Sequence, residues 1–158
     1  ERNISEEQVI LGLFTAGGIG TVISKQATIS GAQGGCQAEC GSAAAMAAAA
    51  IVEMVQGSPQ QAAHACAIAL KNVLGLVCDP VAGLVEVPCI KRNAIGVANA
   101  LVAADLALAG IESVIPADEV IEAMRSVGSL MPGALKETAE GGLAATPTGR
   151  RLAKELSS

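Results

Sequence analysis

An all-α domain is what this 158-residue sequence predicts, and three observations carry the expectation. Hydrophobic residues make up 51% of the chain, yet only Phe14 is aromatic, so the core must be built from Ala, Val, Ile and Leu. Alanine is the strongest helix former and lets helices approach closely. Helix-start signals recur along the chain, and Gly and Pro separate them. At this length one domain is expected, able to bury roughly two-thirds of its unfolded surface.

The elements follow in order. Ser5-Glu6-Glu7-Gln8 is a capping box that opens a helix to about residue 27, with Gly12, Gly17, Gly18 and Gly20 permitting close contact or a kink. TISGAQGG (28–35) reads as a loop. An Ala-rich helix covers 36–56 and stops at Gly57. Ser58-Pro59-Gln60-Gln61 combines an N-cap, a proline at the first helical position and a second capping box, for a helix to about 75. The next stretch, 76–88, holds two prolines and a glycine and is irregular, with a short extended piece in VAGLVEV. Helices then span 90–109 and 116–130, a short one follows Pro132, and Thr146-Pro147 caps the last. That makes about six helices, with long Gly/Pro-rich loops carrying cysteines. No internal repeat is present.

Charge and composition exclude several classes. The net charge is −5 and no basic patch exists, so nucleic acid is not an expected partner. The opening ERNISEEQ is not a signal peptide. The longest uncharged apolar stretches, 9–23 and 42–52, fall short of the ~20 residues that span a bilayer, so no membrane is expected either. Five cysteines, an odd number without scaffold spacing, suit reduced thiols in a cytoplasm. A first residue of Glu rather than Met suggests a piece of a longer chain.

The cysteines pose the sharpest question. Cys36 follows Gly34-Gly35 at an expected helix N-terminus, where the backbone dipole favours a thiolate. Cys78 and Cys89 bracket CDPVAGLVEVPC, a loop turned by Pro80, Gly83 and Pro88. Three loop thiolates match an iron–sulfur cluster that keeps one iron free of protein, or three ligands of a zinc site lacking its fourth. They also match three small residues that are simply buried. Cys66, among alanines in mid-helix, reads as core. Cys40 shares a helix face with Cys36 and can turn toward the same metal. His64 reads as a partly packed histidine rather than a base, and Asp79, before Pro80, as a turn former bonding backbone N–H groups. GAQGGC offers a weak anion cradle. AGGIG (16–20) is half a dinucleotide fingerprint with no strand before it.

Three stretches together resemble the iron–sulfur-dependent bacterial L-serine dehydratases: ATISGAQGGCQAE (27–39), NVLGLVCDPVAGLVEVPCIKRNA (72–94) and ETAEGGLAATPTG (137–149). The chain looks like the C-terminal half of that family's catalytic α subunit or domain. The resemblance implies a [4Fe–4S] cluster on Cys36, Cys78 and Cys89, and conversion of L-serine to pyruvate and ammonia without pyridoxal phosphate. An open iron is then the Lewis acid. It implies partners too: the remaining α segment and a β domain or subunit, in an oligomer. Two departures stand out. Cys40 sits where relatives often carry a small apolar residue, and the chain ends KELSS rather than in a cysteine that caps the open iron. The family's Ser-Ser-Ser-His-Thr segment, thought to supply a base, is absent.

Two rival functions stay open at this point: an L-cysteine desulfidase-type lyase, and a non-enzymatic metal-stabilised module using Cys40 as fourth ligand. The fold is expected to bring Cys36, Cys78 and Cys89 together, through a hairpin of the helices starting at 37 and 59, and to leave Cys66 apart. Asn93, one turn beyond Cys89, is the expected substrate-carboxylate contact, with Lys91 and Arg92 solvated or salt-bridged. An aerobically prepared sample is expected to lack the cluster, and the chain alone to be inactive.

Overall fold

The structure is a computed structural model that describes residues 3–157. Among these, seven α-helices occur: α1 (Glu6–Gln26), α2 (Gly31–Gly34), α3 (Ser42–Met54), α4 (Pro59–Lys71), α5 (Cys89–Leu108), α6 (Ala117–Leu130) and α7 (Pro147–Leu156). No β-strand is formed among the described residues, only a parallel bridge between Cys78 and Lys136. The domain is all-α.

The two capping boxes form as their sequences dictate. Ser5 Oγ accepts from Gln8 N and Gln8 Oε1 accepts from Ser5 N; Ser58 and Gln61 repeat the exchange at the start of α4. Thr146 Oγ1 accepts from Gly149 N to open α7.

Helix α3 is the spine of the fold, packed against α1, α4 and α5. Its buried Ala44, Ala45, Ala48 and Ala49 present almost no side-chain bulk, so neighbouring backbones come close. Helix α1 meets it through glycine: a Cβ on Gly12 would lie 2.6 Å from Met54 Cγ, and one on Gly20 2.9 Å from Met46 Cε. Ala65, Cys66, Ile68 and Leu70 of α4 and Ala100, Ala103 and Ala107 of α5 complete the core. Helices α3 and α4 form an antiparallel hairpin. Its open end is closed by Gln37 N donating to Leu76 O at 2.9 Å, which returns the chain after α4 to the start of α3.

The structure departs from the sequence reading in four places. Residues 31–34 are a helical turn rather than loop, because Ser30 O accepts from both Gln33 N and Gly34 N. Those bonds and that from Gly35 N to Gly31 O occupy three N–H groups of the expected anion cradle. The helix expected from 36 begins as a π-helical segment, Gln37–Gly41, before regular α-helix resumes. VAGLVEV holds a 3-10 turn, Val81–Gly83, and no extended strand. Finally, α1 with its flanking polar turns is long and apolar enough to cross a membrane by length and composition, which the 9–23 stretch alone was not.

Candidate metal centre

Cys36, Cys40 and Cys78 form a small buried cluster of their own, separate from the main core, with Leu76 packed against it. The π segment sets the first pair: Cys36 Sγ lies 3.2 Å from Cys40 Sγ, and Cys40 Sγ donates to Asn93 Oδ1 at 3.5 Å. Insertions of this kind inside helices recur at functional sites because they re-aim side chains. Cys89, the first residue of α5, is buried and close enough to Cys36 for the two charges to interact. Cys66 lies in the main core, away from the others. All five cysteines are free.

Gln37 holds this arrangement, and sequence reasoning missed it. Its side chain is fully buried. Nε2 donates to Gly34 O at 2.9 Å and to Met124 O at 3.0 Å, while Oε1 accepts from Gly75 N at 2.9 Å. One amide thus ties the Cys36 turn, helix α6 and the approach to Cys78. The position of Gln37 directly after Cys36 is the only signal in the sequence, and a weak one.

The Cys78 loop is fixed from the other side. Cys78 N donates to Leu135 O at 2.9 Å and Glu137 N donates to Cys78 O at 2.7 Å. Asp79, buried, accepts from Leu143 N at 2.7 Å, the backbone-bonding role expected of it, but it also meets Arg92. Arg92 Nη2 lies 2.9 Å from Asp79 Oδ1, off the direction of a good hydrogen bond, and Nη1 donates to Val77 O at 2.7 Å. Gly142 has φ +57, and a Cβ there would collide with the Asp79 carboxylate. The 137–149 stretch is therefore the buttress of the cysteine loop. Arg92 is salt-bridged and Lys91 exposed, as expected.

Asn93 is exposed, and its Nδ2 makes no hydrogen bond among the described residues. His64, on α4, accepts from Ser113 N of the α5–α6 connection at 3.3 Å. Two carboxylates, from Glu39 and Glu137, reach the site. A Cβ on Gly31 would stand 2.8 Å from Glu39 Oε2, 3.2 Å from Cys78 Sγ and 3.7 Å from Glu137 Oε2. These side chains converge over a glycine that leaves the space open.

Burial pushes the Cys78 thiol up to about 12, with Cys36 and then Glu137 and Glu39 adding to the effect. Burial raises Cys40 and Cys89 too, and Cys36 adds to each. These thiols are protonated at neutral pH, so a cation that binds them must displace protons. The sign is definite. A thiol that ionises near 9.0 when unfolded and near 12 when folded stabilises the fold below about pH 9 and loses that contribution as pH rises toward 12. Thermal melts of the metal-free chain should therefore fall steeply between pH 9 and 11, and Cys78→Ser should flatten the fall. Parallel curves for the two proteins would contradict this assignment.

The donor set suits a soft metal: the thiols are buried and come from the Cys36 turn, the Cys78 loop and the start of α5. Among the described residues no three His, Cys, Asp or Glu side chains converge as ligands of one ion do. Gly31, which has no side chain, leaves space beside Cys78 Sγ. That fits a cluster, in which each cysteine takes a different iron.

Residues 1–144 match the family model described as serine dehydratase alpha chain. The chain belongs to the serine dehydratase alpha chain family. It is 67% identical, over 98% of its length, to a probable L-serine dehydratase alpha chain of Bacillus subtilis (strain 168), covering 51% of that protein. It is 58% identical over 98% of its length to the L-serine dehydratase alpha chain of Peptoniphilus asaccharolyticus, covering 53% of it. With L-serine dehydratase TdcG of Escherichia coli (strain K12) it shares 44% identity over 90% of its length and 32% of that protein. This serine dehydratase alpha chain member thus spans about half the length of the first two relatives.

Proposed function

We propose that this chain is the cluster-bearing part of an L-serine dehydratase, which converts L-serine to pyruvate and ammonia without pyridoxal phosphate. Cys36, Cys78 and Cys89 are the proposed ligands of a [4Fe–4S] cluster. One observation carries the reading: cysteines from separate stretches meet in one buried place, in a chain 67% identical to a probable L-serine dehydratase alpha chain. The proposed compartment is the cytoplasm, where thiols stay reduced.

A bound cluster with one iron open supplies a Lewis acid that makes the hydroxyl of serine a workable leaving group. The chain's own residues prepare the site. Gln37, Asp79 and Arg92 hold the cysteine loops in register. Leu76 and the surrounding backbone keep water from the thiols. Asn93, whose Nδ2 makes no hydrogen bond among the described residues, is the proposed donor to the substrate carboxylate. Removing the α-proton needs a base, and a positioned base contributes ~10²–10⁴-fold. His64 is committed to Ser113. The base is assigned to the remaining α segment or the β domain or subunit, so the isolated chain is inactive.

The test is anaerobic reconstitution followed by iron and sulfide analysis, spectroscopy and pyruvate assay, with the remaining segments and without them. Cluster loading with L-serine turnover only in the reassembled enzyme is expected. Pyruvate from the isolated chain would move the base onto Glu39, Glu137 or Asp79, and turnover of L-cysteine in place of L-serine would reassign the substrate. In the reassembled enzyme, Asn93→Ala should lower kcat/KM for L-serine by about 10- to 100-fold, the worth of one hydrogen bond to a charged group. Iron content should not change. An unaltered KM and turnover would remove Asn93 from the site.

A further inference from the structure

Helix α1 is apolar on every side. From Val9 to Ile23 it carries no charge, yet only Gly12 and Ile23 are buried, and Leu13 and Phe14 are 63% and 75% exposed. A helix of this composition belongs in an interior. On the opposite side of α3, helix α5 also turns apolar residues outward, among them Val97 and Leu101.

A trough lies between these two walls. One stretch of it is lined by Gly17 and Gly20 of α1 with Ala43 and Met46 of α3. The other is lined by Ala43 and Ala47 of α3 with Asn93, Gly96 and Val97 of α5, and reaches Cys40. Ala43 is common to both, so α3 forms one continuous floor. The floor is mostly alanine with Met46, and Gly17, Gly20 and Gly96 stand on the walls, which leaves room for a backbone to approach; Val97 is an apolar rim, while Lys25 and Glu39 edge the α1 stretch. That is the shape into which an apolar helix lays one face. One end of the trough is Cys40 and Asn93, the edge of the cysteine site.

The length of the relatives indicates the occupant. Matches covering 98% of this chain account for only 51% and 53% of two relatives. In those proteins a comparable length of polypeptide is tethered to the matched stretch, and a tethered segment acts at an effective concentration in the millimolar range. We infer that the trough between α1 and α5 takes an apolar helix from the portion of the alpha chain outside the matched stretch. That helix closes the cysteine site at the Cys40–Asn93 end. The inference rests on reading this chain as part of a longer alpha chain, but it requires neither cluster nor activity.

The test uses cluster-free protein, so failure of the enzymatic reading leaves it untouched. The segment of the Bacillus subtilis relative outside the match is co-expressed with the tagged 158-residue chain. It is also fused to the chain by a flexible linker, in the order the relative carries it. Co-purification is expected, with at least tenfold slower hydrogen exchange over 9–23 and 90–104 in the fusion. Ala43→Arg, an exposed floor position, should abolish both effects, while Ser126→Arg on α6 should abolish neither; circular dichroism checks that both variants fold. Unchanged exchange in the folded fusion would overturn the inference. So would indifference to Ala43→Arg. A dimer of the chain alone that Ala43→Arg dissolves would assign the trough to a second copy. Co-sedimentation with vesicles of phosphatidylglycerol and phosphatidylethanolamine that Ala43→Arg abolishes would assign it to lipid.

Discussion

Cys78→Ala is expected to reduce the iron and sulfide that the chain retains after anaerobic reconstitution to about a tenth or less, because a lost thiolate strips one iron of its ligand. Cys36→Ala and Cys89→Ala should behave alike. Cys66→Ala provides the contrast. It removes a buried sulfur from the packing of α4 and should cost roughly 1–2 kcal/mol of stability while leaving iron content intact. Cys40→Ala decides between two site chemistries, since Cys40 Sγ is only 3.2 Å from Cys36 Sγ. Retained iron with an open-iron spectroscopic signature fits three ligands and a catalytic cluster. Loss of the cluster would make Cys40 the fourth ligand and favour a closed, non-catalytic centre. Equal iron in wild type and Cys78→Ala would end the assignment altogether.

The helices were legible in the sequence because their signals are local. A capping box such as Ser58–Gln61 involves four neighbouring residues, and the structure forms it as written. The convergence of Cys36 and Cys78 was legible for another reason: the alternation of helix and turn lets a hairpin return the chain to its start. What escaped the sequence lies in contacts between distant residues. Nothing near Arg92 announces that it will reach back to Asp79, nor that Leu143 will cap that carboxylate from 64 positions away. The resemblance drew attention to 137–149, yet only the fold shows that this stretch braces the Cys78 loop. The single turn at 31–34 escaped because glycine argues against helix locally, while close packing beside Cys78 demands it there. Glu39 and Glu137 are 98 residues apart, which is why no local pattern could pair them over Gly31.

Gln37→Leu should be the most destabilising single change at the site outside the cysteines. Leucine matches the volume approximately but offers no hydrogen bond, so Gly34 O, Met124 O and Gly75 N lose their side-chain partner in a place that water does not reach. Each buried polar group left unsatisfied costs roughly 1–3 kcal/mol, so the three together amount to about 3–9 kcal/mol. A domain of this size has on the order of 5–15 kcal/mol in total. A fall in Tm of roughly 10 °C or more follows. Gln37→Glu is no rescue, because a carboxylate keeps the acceptor for Gly75 N but turns negative oxygen toward two carbonyls. Asn72→Ala serves as the reference: it removes an exposed bond to Asn99 and should shift Tm by no more than about 2 °C. Because Gln37 fixes the Cys36 turn against the chain leading to Cys78, the folded fraction of Gln37→Leu should also take up iron more weakly, by about 10-fold, as with other groups that orient metal ligands. Measured at a temperature where the variant is still folded, normal iron uptake would show that the amide supports the fold without setting the spacing of the cysteines. A Tm within 2 °C of wild type would show that it does neither.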